Sequence, residues 1–240
     1  MATATKTRSK VKTPNEKLME MSETRSNIAS YTIKGTTPYL QHCDLLANPM
    51  HPMQEVYKTL TGKKKKTRED HLNIGRVQFE SAIYYGEKGP YVPSTHIHAA
   101  LRNAARKVRQ GKIVEESVNI RTDNSDGIAG FYLSDPISGH GIDKQYPSPQ
   151  EMWEEYVNGN EEFVNVTMVG QKGKGKTPCW RPIFQNWTLQ FGLQYFANSI
   201  SPSEVDQYVK IAGQKCSIGS YRPLYGRFEI VTSNHAKMEI

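Results

Sequence analysis

The sequence predicts an α+β fold, with helices gathered on one face of an antiparallel sheet, and three stretches carry the prediction. One is an amphipathic helix. Pro93, Ser94 and Thr95 supply a stop and a cap, and Ile97, Ala100, Leu101, Ala104, Ala105 and Val108 recur at three- and four-residue spacing until Gly111 closes it. Another is the run Trp187, Leu189, Phe191, Leu193, Tyr195, alternating with polar residues at the period of a half-buried strand. The third is Ser201-Pro202-Ser203-Glu204, a capping box with proline at the first helical position. It opens a helix bearing Val205, Tyr208, Val209 and Ala212, which Gly213 terminates.

The remaining elements fall into place in chain order. Residues 1–27 are short of large apolar side chains and rich in Thr, Ser, Lys and Glu, so they are expected to form a disordered basic tail. A strand over Ala29–Lys34 leads into the turn Gly35-Thr36-Thr37-Pro38 and a loop rich in His, Pro and Asn through Pro52. Helical periodicity resumes from about Arg68 to Tyr85 and stops at Gly86. After the amphipathic helix, short strands are predicted at Val114–Ile120 and Ile128–Leu133, then a Pro/Gly/Ser-rich stretch interrupted by a helix around Pro149–Tyr156. One strand-like run covers Phe163–Val169, and another begins near Trp180. The last strand is Arg227–Thr232. Together these give a βαββαβ core, the ferredoxin-like (RRM-like) arrangement. It occupies residues 28–240 as one domain, with insertions at about 43–67 and 134–162.

A chain of 240 residues that is 37% hydrophobic and 10% aromatic can bury one sizeable core without covalent staples. Its cysteines, Cys43, Cys179 and Cys216, are odd in number and widely spaced, which offers neither a disulfide framework nor a zinc pattern and fits a reducing cytoplasm. No apolar run approaches a bilayer span and no secretory core precedes the fold, so no membrane partner is expected. A formal charge of +7 and a pI near 9.2 favour an acidic partner, and the placement of the charge identifies its kind.

Four basic clusters lie outside the tail's own six Lys/Arg and three Glu. Lys63–Lys66 with Arg68 stand at a helix start, where the dipole is already positive. His98, Arg102, Arg106 and Arg109 stack along the polar face of the amphipathic helix, beside Lys107 and Lys112 and with no acid between them. Lys172-Gly173-Lys174-Gly175-Lys176 reads as a flexible finger suited to tracking a phosphate backbone. In the segment Ala212–Ile230, Gly213, Gly219 and Gly226 leave backbone N–H groups uncovered, while Arg222 and Arg227 bring forked cations to the same place. A polyanion relieves the repulsion in each cluster. Tyr, Trp and Phe near the sheet rim, with Trp180, Tyr221 and Tyr225 foremost, are candidates for stacking bases of a single strand.

Two segments carry a family resemblance. Gly89–Ala105, with Pro93-Ser94-Thr95-His96-Ile97-His98-Ala99-Ala100-Leu101-Arg102, resembles the helix start of the RAMP superfamily of CRISPR proteins, although Thr95–His98 replace the family's small residues. Ile218-Gly219-Ser220-Tyr221-Arg222 through Tyr225-Gly226-Arg227-Phe228 resembles that superfamily's glycine-rich loop before its last strand, with fewer glycines. Ile33–Tyr39 is similar to its first strand and turn. The resemblance implies a ferredoxin-like core that holds RNA along this loop, often as a filament of neighbouring copies, and it admits a virus- or mobile-element-encoded relative acting in the host cytoplasm.

The reading that follows is a non-catalytic protein that binds single-stranded nucleic acid, RNA ahead of DNA, and self-associates along the strand. Its nucleic-acid contacts are Arg102, Arg106, Lys172, Lys174, Lys176, Arg181, Gly219, Tyr221, Arg222, Gly226 and Arg227. No cofactor, metal or catalytic residue is assigned. The alternatives are a metal-independent endoribonuclease of the same superfamily, using His42 or His51 as the proton-transfer group, and a basic protein that engages an acidic protein partner. His96 and His98 fall on different sides of a helix, and Asp123 with Asp126 near Gly127 reads as a turn.

Overall fold

The computed structural model describes residues 13, 25–122, 127–141, 144–170 and 175–238. Among them the fold is α+β, with antiparallel sheets and six helices. Strands β1 (Ser26–Gly35), β3 (Tyr85–Gly86), β4 (Gly89–Pro93), β6 (Gly130–Ser134), β9 (Thr188–Phe196) and β10 (Phe228–Lys237) form one sheet in the order β10-β1-β9-β6-β4-β3, with β5 (Val118–Arg121) also paired to β9. Every pairing in this sheet is antiparallel. Alternation decides which face is covered: Ala29, Tyr31 and Ile33 of β1 and Leu189, Phe191, Leu193 and Tyr195 of β9 are buried, while their neighbours are not. Helix α3 (Ser94–Arg106) lies over β4, β5 and β6, and α6 (Pro202–Ile211) packs on β10 and on α3.

A smaller sheet, β2 (Tyr39–Leu40), β8 (Lys176–Phe184) and β7 (Val164–Gly170) in the order β2-β8-β7, carries helix α2 (Arg68–Ala82), with α5 (Pro149–Val157) beside it. The three main caps follow local chemistry. Thr67, Ser148 and Ser201 each accept from the N3 backbone N–H while Asp70, Glu151 and Glu204 reach back to them. Asp70 also takes a hydrogen bond from Lys63 at 2.5 Å, which holds its carboxyl down at about 2. Part of the lysine run is therefore paired with the capping carboxylate of α2 instead of standing free.

The structure corrects several sequence expectations. The stretch through Pro52 runs into an unexpected helix, α1 (Pro52–Gly62), capped by His51. Helix α3 stops before Gly111: Arg109, not a glycine, takes the left-handed turn at φ 62°, with Arg109 N–H bonded to the Arg106 carbonyl and Gln110 N–H to that of Ala105. Gly111 instead opens a short helix, α4 (Gly111–Ser117), so Val114–Ser117 are helical and only Val118–Arg121 extend. A brief apolar run does not separate the two states by itself. Gly213 does not end α6, which continues through a π turn over Ala212–Cys216. The glycine is there for close approach, because a side chain at that position would run into the backbone of Phe228. The last strand extends to Lys237, and β8 starts at Lys176, well before Trp180.

Candidate nucleic-acid interface

The loop from Ser217 to Arg227 is built on the end of the sheet where β1 stops and β9 and β10 begin. Trp187, fully buried, anchors that end by donating its indole N–H to the Thr37 carbonyl at 2.9 Å and packing against Tyr39 and Phe228. Four hydrogen bonds pin the loop: Ile218 N–H to the Gly226 carbonyl, Ser220 N–H to that of Leu40, Gly226 N–H to that of Pro38, and Arg227 N–H to Thr37 Oγ1, at 2.8–3.0 Å. Gly226 sits at φ 71°, and a side chain there would strike the Ile218 carbonyl, so only glycine closes the loop. Ser217, Gly219 and Tyr221 also have positive φ, at 57°, 82° and 51°. Among the described residues the N–H groups of Gly219, Tyr221 and Arg222 find no acceptor. Clustered free N–H groups of this kind suit an anion.

Beside the loop lies a cleft of about 730 Å³. Arg106 and Lys107 come from the end of α3, Lys215 from the π turn, and Arg222 from the loop, and among the described residues no carboxylate lines the cleft. Two stretches distant in sequence, 103–107 and 215–223, thus place cations around one hollow. The helix face itself departs from expectation. Glu115 of α4 stands between Arg102 and Arg106, 3.3 Å from each, so the arginine stripe does contain an acid. These pairs are about one-third to one-half exposed and contribute little stability, about 0–1 kcal/mol. Their effect is on the field rather than the fold.

On the other flank of the loop, the guanidinium of Arg181 rests over the Tyr221 ring, 4.6 Å from its centroid. Arg181 is 9% exposed, reaches Thr167 Oγ1 at 3.4 Å, keeps an unpartnered buried Nε, and forms no ion pair with any described residue. A buried cation without a counter-charge is costly unless an anion arrives. Hydrogen bonding to Arg181 in turn lowers the Tyr221 hydroxyl from its ordinary value. His42 and His96 lie close by. Burial, then Arg181, depresses the His42 imidazole, while Asp44, 3.7 Å away, opposes the shift. Burial, then Arg222, depresses His96, whose Nδ1 is 3.4 Å from the Tyr39 hydroxyl. Both rings are therefore held toward the neutral form. His51 is engaged elsewhere, its Nδ1 accepting from Met53 N–H as a helix cap.

The structure brings Arg106, Gly219, Tyr221 and Arg222 to the cleft, with Arg181 behind Tyr221. Arg102 stands one turn back along α3, turned to Glu115. Arg227 folds onto the loop, its Nε donating to the Pro223 carbonyl at 2.8 Å, and Gly226 has a closing role. Lys176 is exposed at the start of β8, while Lys172 and Lys174 lie outside the described residues, as do Asp123 and Asp126. Trp180 cannot be a stacking platform: it is buried against α2 and α5, with its N–H directed to the Tyr156 hydroxyl at 3.3 Å. Tyr221 is 44% exposed and Tyr225 is half-buried. Sequence reasoning missed Lys215, Asn103 and Glu115. The signal for Lys215 was hidden because Gly213 reads as a helix stop.

Among the described residues no cluster of His, Cys, Asp and Glu could hold a metal ion, and no helix is long and apolar enough to cross a membrane. No protein-family model and no curated protein matches the chain. Among solved structures it is similar to a chain in the cryo-EM structure of the type III-B Cmr-beta bound to cognate target RNA, with a TM-score of 0.48 and 14% identity. The match covers 93% of this chain and 64% of that one, so this chain spans less than two thirds of its neighbour's length.

Proposed function

We propose that this protein binds single-stranded nucleic acid without cutting it, RNA ahead of DNA, on a ferredoxin-like core of the RAMP type, and that copies associate along the strand. The observation that carries the reading is the cleft where Arg106, Lys107, Lys215 and Arg222 meet, with no carboxylate in its lining and three loop N–H groups without an acceptor among the described residues. Cations around one cleft, with unpaired backbone donors in the loop that borders it, match the spacing-tolerant demands of a phosphodiester chain. The strand order β10-β1-β9-β6, with α3 and α6 as the two crossover helices, supports the ferredoxin-like assignment. Among the described residues the outer edge of β10, ten residues long, has no strand partner, which supports association with a second copy.

Binding without cleavage is the chemical side of the proposal. Breaking a ribose–phosphate bond by proton transfer takes one group as base and another as acid. Burial pushes both His42 and His96 toward the neutral form, so neither is favoured as the imidazolium acid of such a pair. The test is filter binding of matched single-stranded RNA and DNA by the wild type and by the double variant Lys215→Glu/Arg222→Glu. The variant is expected to lose at least about tenfold in affinity with its fold unchanged, and RNA incubated with the wild type is expected to be recovered intact. Unchanged affinity would remove the cleft from the site.

A further inference from the structure

The face of the large sheet not covered by α3 and α6 is not an open plane. A cleft of about 920 Å³ is set into it. Its floor follows from register. Asn234 and Thr232 of β10 face Ser30 and Thr32 of β1, which pair with Gly192 and Gln190 of β9, so hydroxyl and amide side chains share one surface. On the β9 edge the partner changes. β6 pairs with Thr188 and Leu189, and β5 pairs with Gly192–Tyr195, so the two strands part at Gln190 and Phe191.

Arg121 and Tyr132 stand on either side of this parting. Arg121 ends β5 opposite Gly192, which has no side chain to fill the floor beneath it, and it is exposed with no ion-pair partner among the described residues. Tyr132 is half-buried, its hydroxyl resting where a side chain on Gly86 would lie, and Lys88 stands 5.8 Å from its ring centroid. The outer wall is fastened, since Gln145 donates to the Glu87 carbonyl at 3.0 Å and the Tyr85 hydroxyl bonds the Tyr146 and Pro147 carbonyls at 3.0 and 3.1 Å. A volume near 900 Å³ with fixed walls is that of a small-molecule site.

We propose that this cleft binds a nucleotide, as a second site independent of the glycine loop. Three kinds of group in it match the three parts of that ligand. The Tyr132 ring, with Lys88 at its face, offers a stacking plane for the base. Arg121 supplies the fork for the phosphate. The hydroxyls of Ser30, Thr32 and Thr232, with the amides of Gln190 and Asn234, are donors and acceptors for sugar hydroxyls and base edges. A bare anion leaves most of these groups unused, and an apolar ligand strands them.

The test is equilibrium dialysis of the full chain against adenosine monophosphate, an oligoadenylate of about six nucleotides, and inorganic phosphate. The mononucleotide is expected to bind, with a loss of about tenfold on Tyr132→Ala or Arg121→Ala. Tyr132→Phe, which keeps the ring, and Lys215→Glu/Arg222→Glu, which alters only the loop cleft, are expected to retain it. A tighter oligoadenylate that is equally sensitive to Tyr132→Ala identifies a strand as the source, and an equal or weaker one identifies free nucleotide. No binding of the mononucleotide, phosphate binding as well as the mononucleotide, or equal loss in the loop variant would each overturn the proposal. Loss of strand binding in the loop variant alone bears on the glycine loop and not on this cleft.

Discussion

Glu115 sets the charge balance at the helix side of the interface. It lies 3.3 Å from both Arg102 and Arg106, and by Coulomb's law a carboxylate so close to two guanidiniums cancels much of the field they direct at a phosphate. Because both pairs are partly exposed, removing it costs the fold within about 1 kcal/mol. Glu115→Gln is therefore expected to tighten strand binding several-fold at low salt while the melting temperature stays nearly constant. Weaker binding would mean that Glu115 positions the arginines rather than competing with phosphate. Residues of this kind mark the edge of what a single sequence shows. The pair Arg102 and Arg106 was legible because helix spacing is regular, whereas Arg109, expected on the same stripe, leaves the helix in a left-handed turn, and Glu115 faces the pair only after that turn folds α4 back.

At the scale of elements, the glycine loop depends on what lies beneath it. Trp187 fills the space at the end of β1, touches Tyr39 and Phe228, and ties down Thr37, which in turn holds Arg227 N–H through Oγ1. Truncating a fully buried tryptophan costs about 3–5 kcal/mol. Trp187→Ala is thus expected to lower the melting temperature sharply, and any folded fraction to bind strand less well because the loop has lost its support. A stable variant with intact binding would show that the loop is held independently. The long elements were readable from pattern: the period of two in β9, the apolar stripe of α3 from Ile97 to Ala105 and the capping box of α6 agree with the structure, while Val108 falls beyond the helix and is exposed. Helices α1 and α4 and the π turn were not. Their apolar runs are short, and Gly213 answers to a tertiary contact with Phe228 rather than ending a helix.

At the scale of the whole molecule, cations from α3, the π turn and the loop act together only because α6 packs on both α3 and β10 and carries the loop to the end of α3. The net charge of +7 favours a polyanionic partner, and in the proposed reading the cleft, lined by no carboxylate among the described residues, is where it settles. The sequence showed which stretches are basic, and folding determined which of them meet. Arg102 turned toward Glu115 and Arg227 toward Pro223, while Lys215 joined the cleft.

The measurement that tests this most directly is the salt dependence of single-stranded RNA affinity for the wild type and for Lys215→Glu/Arg222→Glu. Each phosphate neutralised contributes a slope of about −0.7 in log affinity against log salt. The wild type is predicted to show a steep negative slope, with the variant shallower by about one unit or more. Equal slopes in the two proteins, or a wild-type affinity that is flat with salt, would contradict the account.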